Sequence, residues 1–177
     1  MWCKYTVTLL PAFLLITYIH AAIALKAGQY TITSHLNSAL IGDDSRGDKN
    51  GGLKKVILLP SNFLVQNIDA VAAPKWVVEP QDGDHYIVRV NGRPTLAIGG
   101  ELYSAPETQG AEQWVITQHG WKGPYTVEKA DKSGGWKVVD DLNPHGSIYV
   151  CPLGILPGFP PRFPSSSLFD FTLVEAS

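Results

Sequence analysis

The segment Gly28-Gln29-Tyr30-Thr31-Ile32 points to the fold of this 177-residue chain, because two similar segments follow it. They are Asp84-His85-Tyr86-Ile87-Val88 and Gly123-Pro124-Tyr125-Thr126-Val127. After each one comes a second aromatic segment, at Lys75-Trp76, Gln113-Trp114 and Leu168-Phe169. A closing aromatic residue and the next opening tyrosine lie 10 and then 11 residues apart, whereas the spans inside the units are 46, 28 and 44 residues. A nearly constant spacing between units and a variable spacing within them predict three similar units that carry loop insertions.

Short segments rich in β-branched and aromatic residues make up most of the remaining chain, and turn-forming residues separate them. Asn91-Gly92 is the clearest hairpin signal, because both residues tolerate the positive φ of a type I′ turn. Eleven strands are predicted, at residues 30–33, 39–41, 56–59, 76–79, 86–90, 95–98, 114–117, 125–128, 136–139, 147–150 and 169–174. So many short strands without helical periodicity predict an all-β protein with a closed sheet, built from three pseudo-symmetric units of about four strands.

The N-terminal residues 1–24 are predicted to be a signal peptide. Lys4 precedes an uncharged, mostly apolar run that ends in Ala22-Ile23-Ala24, a small-x-small pattern typical of signal peptidase sites. An uncleaved membrane anchor is the alternative, but this run contains Pro11 and is short for a hydrocarbon core of about 30 Å. Cleavage after Ala24 leaves one domain, residues 25–177, which we expect to be secreted and free of the membrane.

Charge and cysteine content narrow the possible partners. Loss of Lys4 leaves 13 Lys and Arg against 16 Asp and Glu, a formal charge of −3, and the basic residues form no stripe. Nucleic acid is therefore not expected as a partner. Cys3 leaves with the signal, so Cys151 has no partner for a disulfide. We expect a monomer that needs no metal or cofactor.

Two long polar or proline-rich segments are the candidate functional regions. The first loop, residues 42–55, is rich in Gly, Asp and Lys, and the second loop, residues 152–167, contains five prolines and Arg162. Proline fixes φ, so a proline-rich loop loses little entropy when a partner binds it. Long loops on a compact scaffold are often functional.

The ordered set of local motifs resembles the fungal serine protease inhibitors of the cospin and cnispin type. The resemblance covers essentially all of residues 25–177. The matching segments are Leu25-Lys26-Ala27-Gly28-Gln29-Tyr30-Thr31-Ile32, Lys54-Lys55-Val56, Leu58-Leu59-Pro60, Trp76-Val77-Val78-Glu79, Asn91-Gly92-Arg93-Pro94-Thr95, Leu102-Tyr103-Ser104-Ala105, Val150-Cys151-Pro152-Leu153, Phe159-Pro160-Pro161 and Leu168-Phe169. The resemblance implies a β-trefoil fold and inhibition of serine endopeptidases by a rigid surface loop that enters the active-site cleft.

Basic side chains in the two loops are the candidate protease contacts, since a trypsin-like enzyme accepts Arg or Lys in its primary pocket. The family commonly has Gly-Arg just after its second strand, whereas this chain has Gly42-Asp43. In the first loop, which is favoured, the candidates are the basic residues Arg46 and Lys49 together with the preceding Asp44 and Ser45, and in the second loop the candidate is Arg162.

The residues also bear on two other classes of function. A carbohydrate-binding β-trefoil lectin is the alternative, with a sugar site formed by Trp121, Asp140, Asp141 and Asn143. Trp76 and Trp114 are interpreted as core residues, because they occupy equivalent repeat positions. An enzyme is not expected, because the histidines lack metal-ligand spacing and no Gly-x-Ser-x-Gly motif occurs.

Overall fold

The computed structural model describes residues 24–44, 52–60, 73–139, 143, 145–158 and 162–174. The predicted signal peptide thus lies outside the described residues, apart from Ala24. The described parts contain twelve strands and two short 3₁₀ helices, Glu107–Gln109 and Ser165–Ser167. The strands are β1 Gly28–Ser34, β2 Ile41–Asp43, β3 Lys54–Leu58, β4 Trp76–Pro80, β5 His85–Val90, β6 Arg93–Ile98, β7 Glu101–Ser104, β8 Gln113–Gln118, β9 Tyr125–Lys129, β10 Gly135–Val138, β11 Ile148–Cys151 and β12 Phe169–Leu173.

Six of the strands form a closed antiparallel barrel. β1 pairs with β4, β4 with β5, β5 with β8, β8 with β9 and β9 with β12. β12 then pairs with β1 over Thr31↔Thr172 and four neighbouring residue pairs, which closes the ring. A closed ring leaves no free barrel edge that could pair with another chain.

The other six strands form three hairpins that pair with one another. The hairpins are β2–β3, β6–β7 and β10–β11. Lys54↔Ser104 joins the first hairpin to the second, Tyr149↔Glu101 joins the third to the second, and Ile57↔Ser147 joins the first to the third. A six-stranded barrel with three hairpins in threefold arrangement is a β-trefoil.

The three aromatic repeats of the sequence form equivalent residue pairs in the sheet. Each opening tyrosine pairs with the closing aromatic residue of its own unit, as Tyr30↔Trp76, Tyr86↔Trp114 and Tyr125↔Phe169. The predicted threefold repetition is therefore confirmed at the level of individual residue pairs.

The closing aromatic residues meet in the core around one further tryptophan. Trp76, Trp114 and Phe169 are fully buried, which confirms the interpretation of the two tryptophans as core residues. The indole of Trp136 lies between them, with ring centroids 5.7 Å from Trp76, 5.4 Å from Trp114 and 5.9 Å from Phe169. Tilted and edge-on aromatic pairs at these distances add stabilisation beyond area burial.

Local predictions agree with the structure except at two strands. The second strand was predicted at residues 39–41, whereas β2 is Ile41–Asp43, so Gly42 and Asp43 belong to the strand and not to the loop that follows it. Asn91 and Gly92 have φ of 50° and 79° in the tight turn between β5 and β6, as the hairpin signal predicted. β7 was missed, because its four residues, Glu-Leu-Tyr-Ser, offer too little alternation to be recognised. None of the described residues belongs to a helix with the length and apolar character needed to cross a membrane.

Candidate functional site

The first loop connects β2 to β3, and the structure describes both of its ends. The backbone N–H of Asp44 donates to the carbonyl of Lys55 at 2.8 Å, so the hairpin ladder continues one residue past β2. Asp44 is half-buried. The other first-loop candidates, Ser45, Arg46 and Lys49, lie outside the described residues.

Asp43 occupies the position at which the resembled family has arginine, and its side chain is buried. Asn91 Nδ2 donates to Asp43 Oδ1 at 2.7 Å, and the Ser104 hydroxyl lies 3.5 Å from Oδ2. The ammonium of Lys54 is 3.9 Å from the same carboxylate. Asp43 therefore ties the first hairpin to the second unit, with its side chain held inside the protein.

The neighbouring unit also braces the far end of the first loop. The guanidinium of Arg93 donates to the carbonyl of Gly52. Asn91 additionally holds Lys75 through two hydrogen bonds, one from its own backbone N–H and one to its side-chain oxygen. Sequence reasoning assigned Asn91 to a hairpin turn and missed this second role, because the contact spans 48 residues between Asn91 and Asp43.

The second loop contains the candidate Arg162, which is exposed. Its backbone forms an isolated bridge with Leu156. The N–H of Leu156 donates to the carbonyl of Arg162 at 2.8 Å, and the N–H of Arg162 donates back at 3.4 Å. Arg162 thus lies at the base of a small hairpin whose described outer residues are Pro157 and Gly158.

Three contacts hold the second loop in place, one with β10, one with the turn between β8 and β9 and one within the loop itself. Leu153 packs over Gly135, where an added Cβ would lie only 2.8 Å from the leucine Cδ1. The ring of Phe163 packs against His119 with centroids 4.7 Å apart. Ser167 is buried at the end of a 3₁₀ turn in which its N–H donates to Pro164. The second loop is therefore anchored on both sides of the Leu156–Arg162 bridge.

His119 is the support for the Phe163 side of the loop. Its Nε2 lies 3.0 Å from the hydroxyl of the buried Thr126. Burial lowers the pKa of His119, with a smaller opposing influence of Glu128. The imidazole is therefore neutral at neutral pH, and it presents an uncharged face to the phenyl ring.

Apolar side chains beside Arg162 are exposed, a feature that sequence reasoning did not identify. Ile155 is 63% exposed and Leu156 is 48% exposed. Large apolar groups that cluster on a surface commonly mark a contact region. The second loop thus presents apolar side chains and a cation together.

The residues proposed for a sugar site lie on different connections. Trp121 is in the turn before β9, whereas Asn143 is in the connection after β10 and accepts a hydrogen bond from the backbone of His145. Asp140 and Asp141 lie outside the described residues. Among the described residues, no three side chains of the types His, Cys, Asp and Glu form a group able to hold a metal ion.

Fold and loops together define a β-trefoil protein with anchored, exposed loops, a class that includes inhibitors and lectins. The model of the peptidase inhibitor I66 family matches residues 23–173, so the chain belongs to that family. The resemblance to the cospin-type inhibitors is thereby confirmed, and the protein is a peptidase inhibitor by family and not an enzyme.

One solved structure agrees with this family assignment, and two others share the fold. A proteinase inhibitor from Coprinopsis cinerea is 30% identical with a TM-score of 0.73, over 85% of this chain and 100% of that one. The Rhizoctonia solani agglutinin is 16% identical with a TM-score of 0.60, over 87% of this chain and 100% of that one. The Polyporus squamosus lectin is also 16% identical, with a TM-score of 0.57 over 84% of this chain and 50% of that one. At such identities the two lectins share the fold alone. A search of curated proteins found no match.

Proposed function

We propose that this protein is a secreted, monomeric inhibitor of serine endopeptidases with trypsin-like specificity, and that Arg162 of the second loop enters the primary pocket of the enzyme. The observation that carries the proposal is an exposed cation on a loop that is anchored on one side by β10 and on the other by the turn before β9. Membership in a peptidase inhibitor family supports the proposal that the protein inhibits a protease. The predicted signal peptide, residues 1–24, would bring the protein to an extracellular target.

A pre-ordered loop favours tight binding, because the entropy of ordering is lost when the inhibitor folds and not when it binds. The packing of Leu153 on Gly135 and of Phe163 on His119 supplies this order. Prolines 152, 157, 160, 161 and 164 restrict φ along the same loop. If the protease cleaves a loop that is held in this way, the two new chain ends stay in place. The enzyme is therefore released slowly.

The backbone of Arg162 determines how it can bind. Both its N–H and its carbonyl are committed to Leu156, although the 3.4 Å bond is long. A substrate-like contact at Arg162 therefore requires this bridge to open, which costs about 1 kcal/mol for each hydrogen bond. A bidentate contact between guanidinium and carboxylate in a trypsin-like pocket is a strong charge-assisted interaction and offsets that cost.

The first loop is the alternative location for the contact. Its ends are braced by Asp44 with Lys55 and by Arg93 with Gly52. A braced base is what an inserting loop needs, and Arg46 or Lys49 would then supply the cation. A contact through the first loop and a contact through the second loop predict that different single substitutions abolish inhibition.

The test is an inhibition assay of trypsin, chymotrypsin and subtilisin with residues 25–177 and with the variants R162A, R46A and K49A. K26A is the matched control, since Lys26 is an exposed cation outside both loops. We expect nanomolar inhibition of trypsin, and R162A should raise Ki at least 30-fold, on the order of the 2 kcal/mol that defines a hot spot.

Other results of this assay separate the loops. A loss confined to R46A or K49A would place the contact in the first loop. Unchanged activity of all three enzymes at micromolar wild-type protein would refute serine protease inhibition itself.

A further inference from the structure

Trp121 has the most exposed large hydrophobic side chain among the described residues, at 83%. The other tryptophans of the described residues, Trp76, Trp114 and Trp136, are fully buried. One exposed apolar side chain is ordinary on a protein surface. The exposure of Trp121 is nevertheless informative, because of the turn that carries this residue and because of the loop that contacts the turn.

The turn that carries Trp121 is held rigidly. The N–H of His119 donates to the carbonyl of Pro124 at 2.8 Å and closes the connection between β8 and β9. Within it Gly120 and Lys122 have φ of 80° and 58°. A side chain at Gly123 would collide with the carbonyl oxygen of His119. A fixed turn presents its tryptophan at little entropic cost on binding.

The same turn is joined to the second loop. His119, two residues before Trp121, contacts the ring of Phe163, which follows Arg162 directly. Consecutive Cα atoms are about 3.8 Å apart, so this path keeps Trp121 and Arg162 within about 25 Å of each other. A typical protease–inhibitor interface buries about 800 Å² of each partner, a patch roughly 30 Å across. One enzyme can therefore cover both residues.

We propose that Trp121 is a second anchor for the serine endopeptidase whose primary pocket receives Arg162, and that it binds an apolar recess outside that pocket. This inference rests on the proposed function and adds a determinant of specificity to it. Tryptophan and arginine are the side chains that dominate binding energy in protein interfaces. Ile155 and Leu156 beside Arg162 extend the apolar character of the surface.

The experiment measures Ki for trypsin with the variants W121A, W121F and R162A of residues 25–177. V139A is the matched control, because Val139 is 60% exposed and lies in the β10–β11 connection. We expect W121A to raise Ki about 10-fold or more, W121F to recover most of the affinity, and V139A to change Ki less than about twofold. Circular dichroism and melting temperature verify that W121A stays folded.

A second readout follows the side chain itself. Acrylamide quenching of the wild-type and W121F complexes with trypsin isolates the signal of Trp121 by difference, and we expect this signal to be protected in the complex. Unchanged Ki for W121A together with an unprotected Trp121 would refute the second anchor while R162A still lost inhibition. Absence of inhibition by the wild-type protein would instead refute the proposed function, and the second anchor with it.

Discussion

Trp136 is the residue at which the three units meet. Its indole contacts the closing aromatic residue of every unit, so its packing couples all three. The three buried tryptophans differ in hydrogen bonding. Trp76 Nε1 donates to the carbonyl of Ile41 at 2.8 Å and Trp114 Nε1 donates to the hydroxyl of Thr95 at 3.0 Å. Trp136 Nε1 has no hydrogen-bond partner within the described part of the chain.

This difference in hydrogen bonding predicts that replacing a buried tryptophan with phenylalanine lowers the free energy of unfolding by unequal amounts at the two positions. W76F and W136F both remove the same atoms from the core, but W76F also leaves the buried carbonyl of Ile41 without its donor. We expect W76F to lower the free energy of unfolding by about 1 kcal/mol more than W136F. Urea unfolding followed by circular dichroism measures both. A larger loss for W136F would contradict the hydrogen-bond contribution.

Gly123 is required by close backbone packing. A Cβ at this position would overlap the carbonyl of His119, so the turn that carries Trp121 must open to accept it. We expect Gly123→Ala to lower the free energy of unfolding by about 2 kcal/mol or more. Gly154→Ala is the control, because an added Cβ there meets nothing within 4 Å. Equal stability of the two variants would rule out the steric argument.

At the scale of elements, Glu101 connects the three hairpins. Lys55 of β3 donates to its carboxylate at 2.9 Å, and the hydroxyl of Tyr103 of β7 donates at 3.0 Å. Ser147, just before β11, also donates to it. The hydrogen bond from Lys55 is the main cause that lowers the pKa of Glu101 below its ordinary value of 4.5.

A lowered pKa in the folded state means that Glu101 stabilises the protein above about pH 4.5 and that this stabilisation is lost as the pH falls through the folded pKa. We expect E101Q to lower the free energy of unfolding by about 1 kcal/mol at pH 7, and the difference to be smaller at pH 3, on the acid side of the ordinary pKa of 4.5. Urea titrations at the two pH values test this, with D82N as an exposed control. A difference that persists unchanged at pH 3 would exclude an electrostatic origin.

At the scale of the whole molecule, the barrel and hairpins share one core, and that core extends to the first residue of the predicted mature chain. Leu25 is 8% exposed and belongs to the core cluster. Val174 near the other end donates a backbone hydrogen bond to Gln29, so the two ends of the described domain lie together. Cleavage after Ala24 would keep every one of these contacts.

Processing after Ala24 is therefore the expected outcome when the full chain is expressed in a secreting eukaryotic host. N-terminal sequencing of protein from the medium should begin at Leu25, and size-exclusion chromatography should give the mass of one copy of residues 25–177. Intact chain that begins at Met1 in the membrane fraction would identify the N-terminus as an anchor. A mass of two copies would contradict the expected monomer.

The sequence by itself determined the all-β class, the threefold repeat and ten of the strands, with β2 displaced by two residues, because strand and turn preferences are local properties. It also located the two long loops, since they interrupt that local pattern. The tertiary structure alone decided that Asp43 is buried by Asn91 and Ser104 and that Phe163 rests on His119. It also decided that Trp121 faces solvent while Trp136 lies in the core. These contacts join residues of different units, and they exist only after the barrel closes, so no local pattern encodes them.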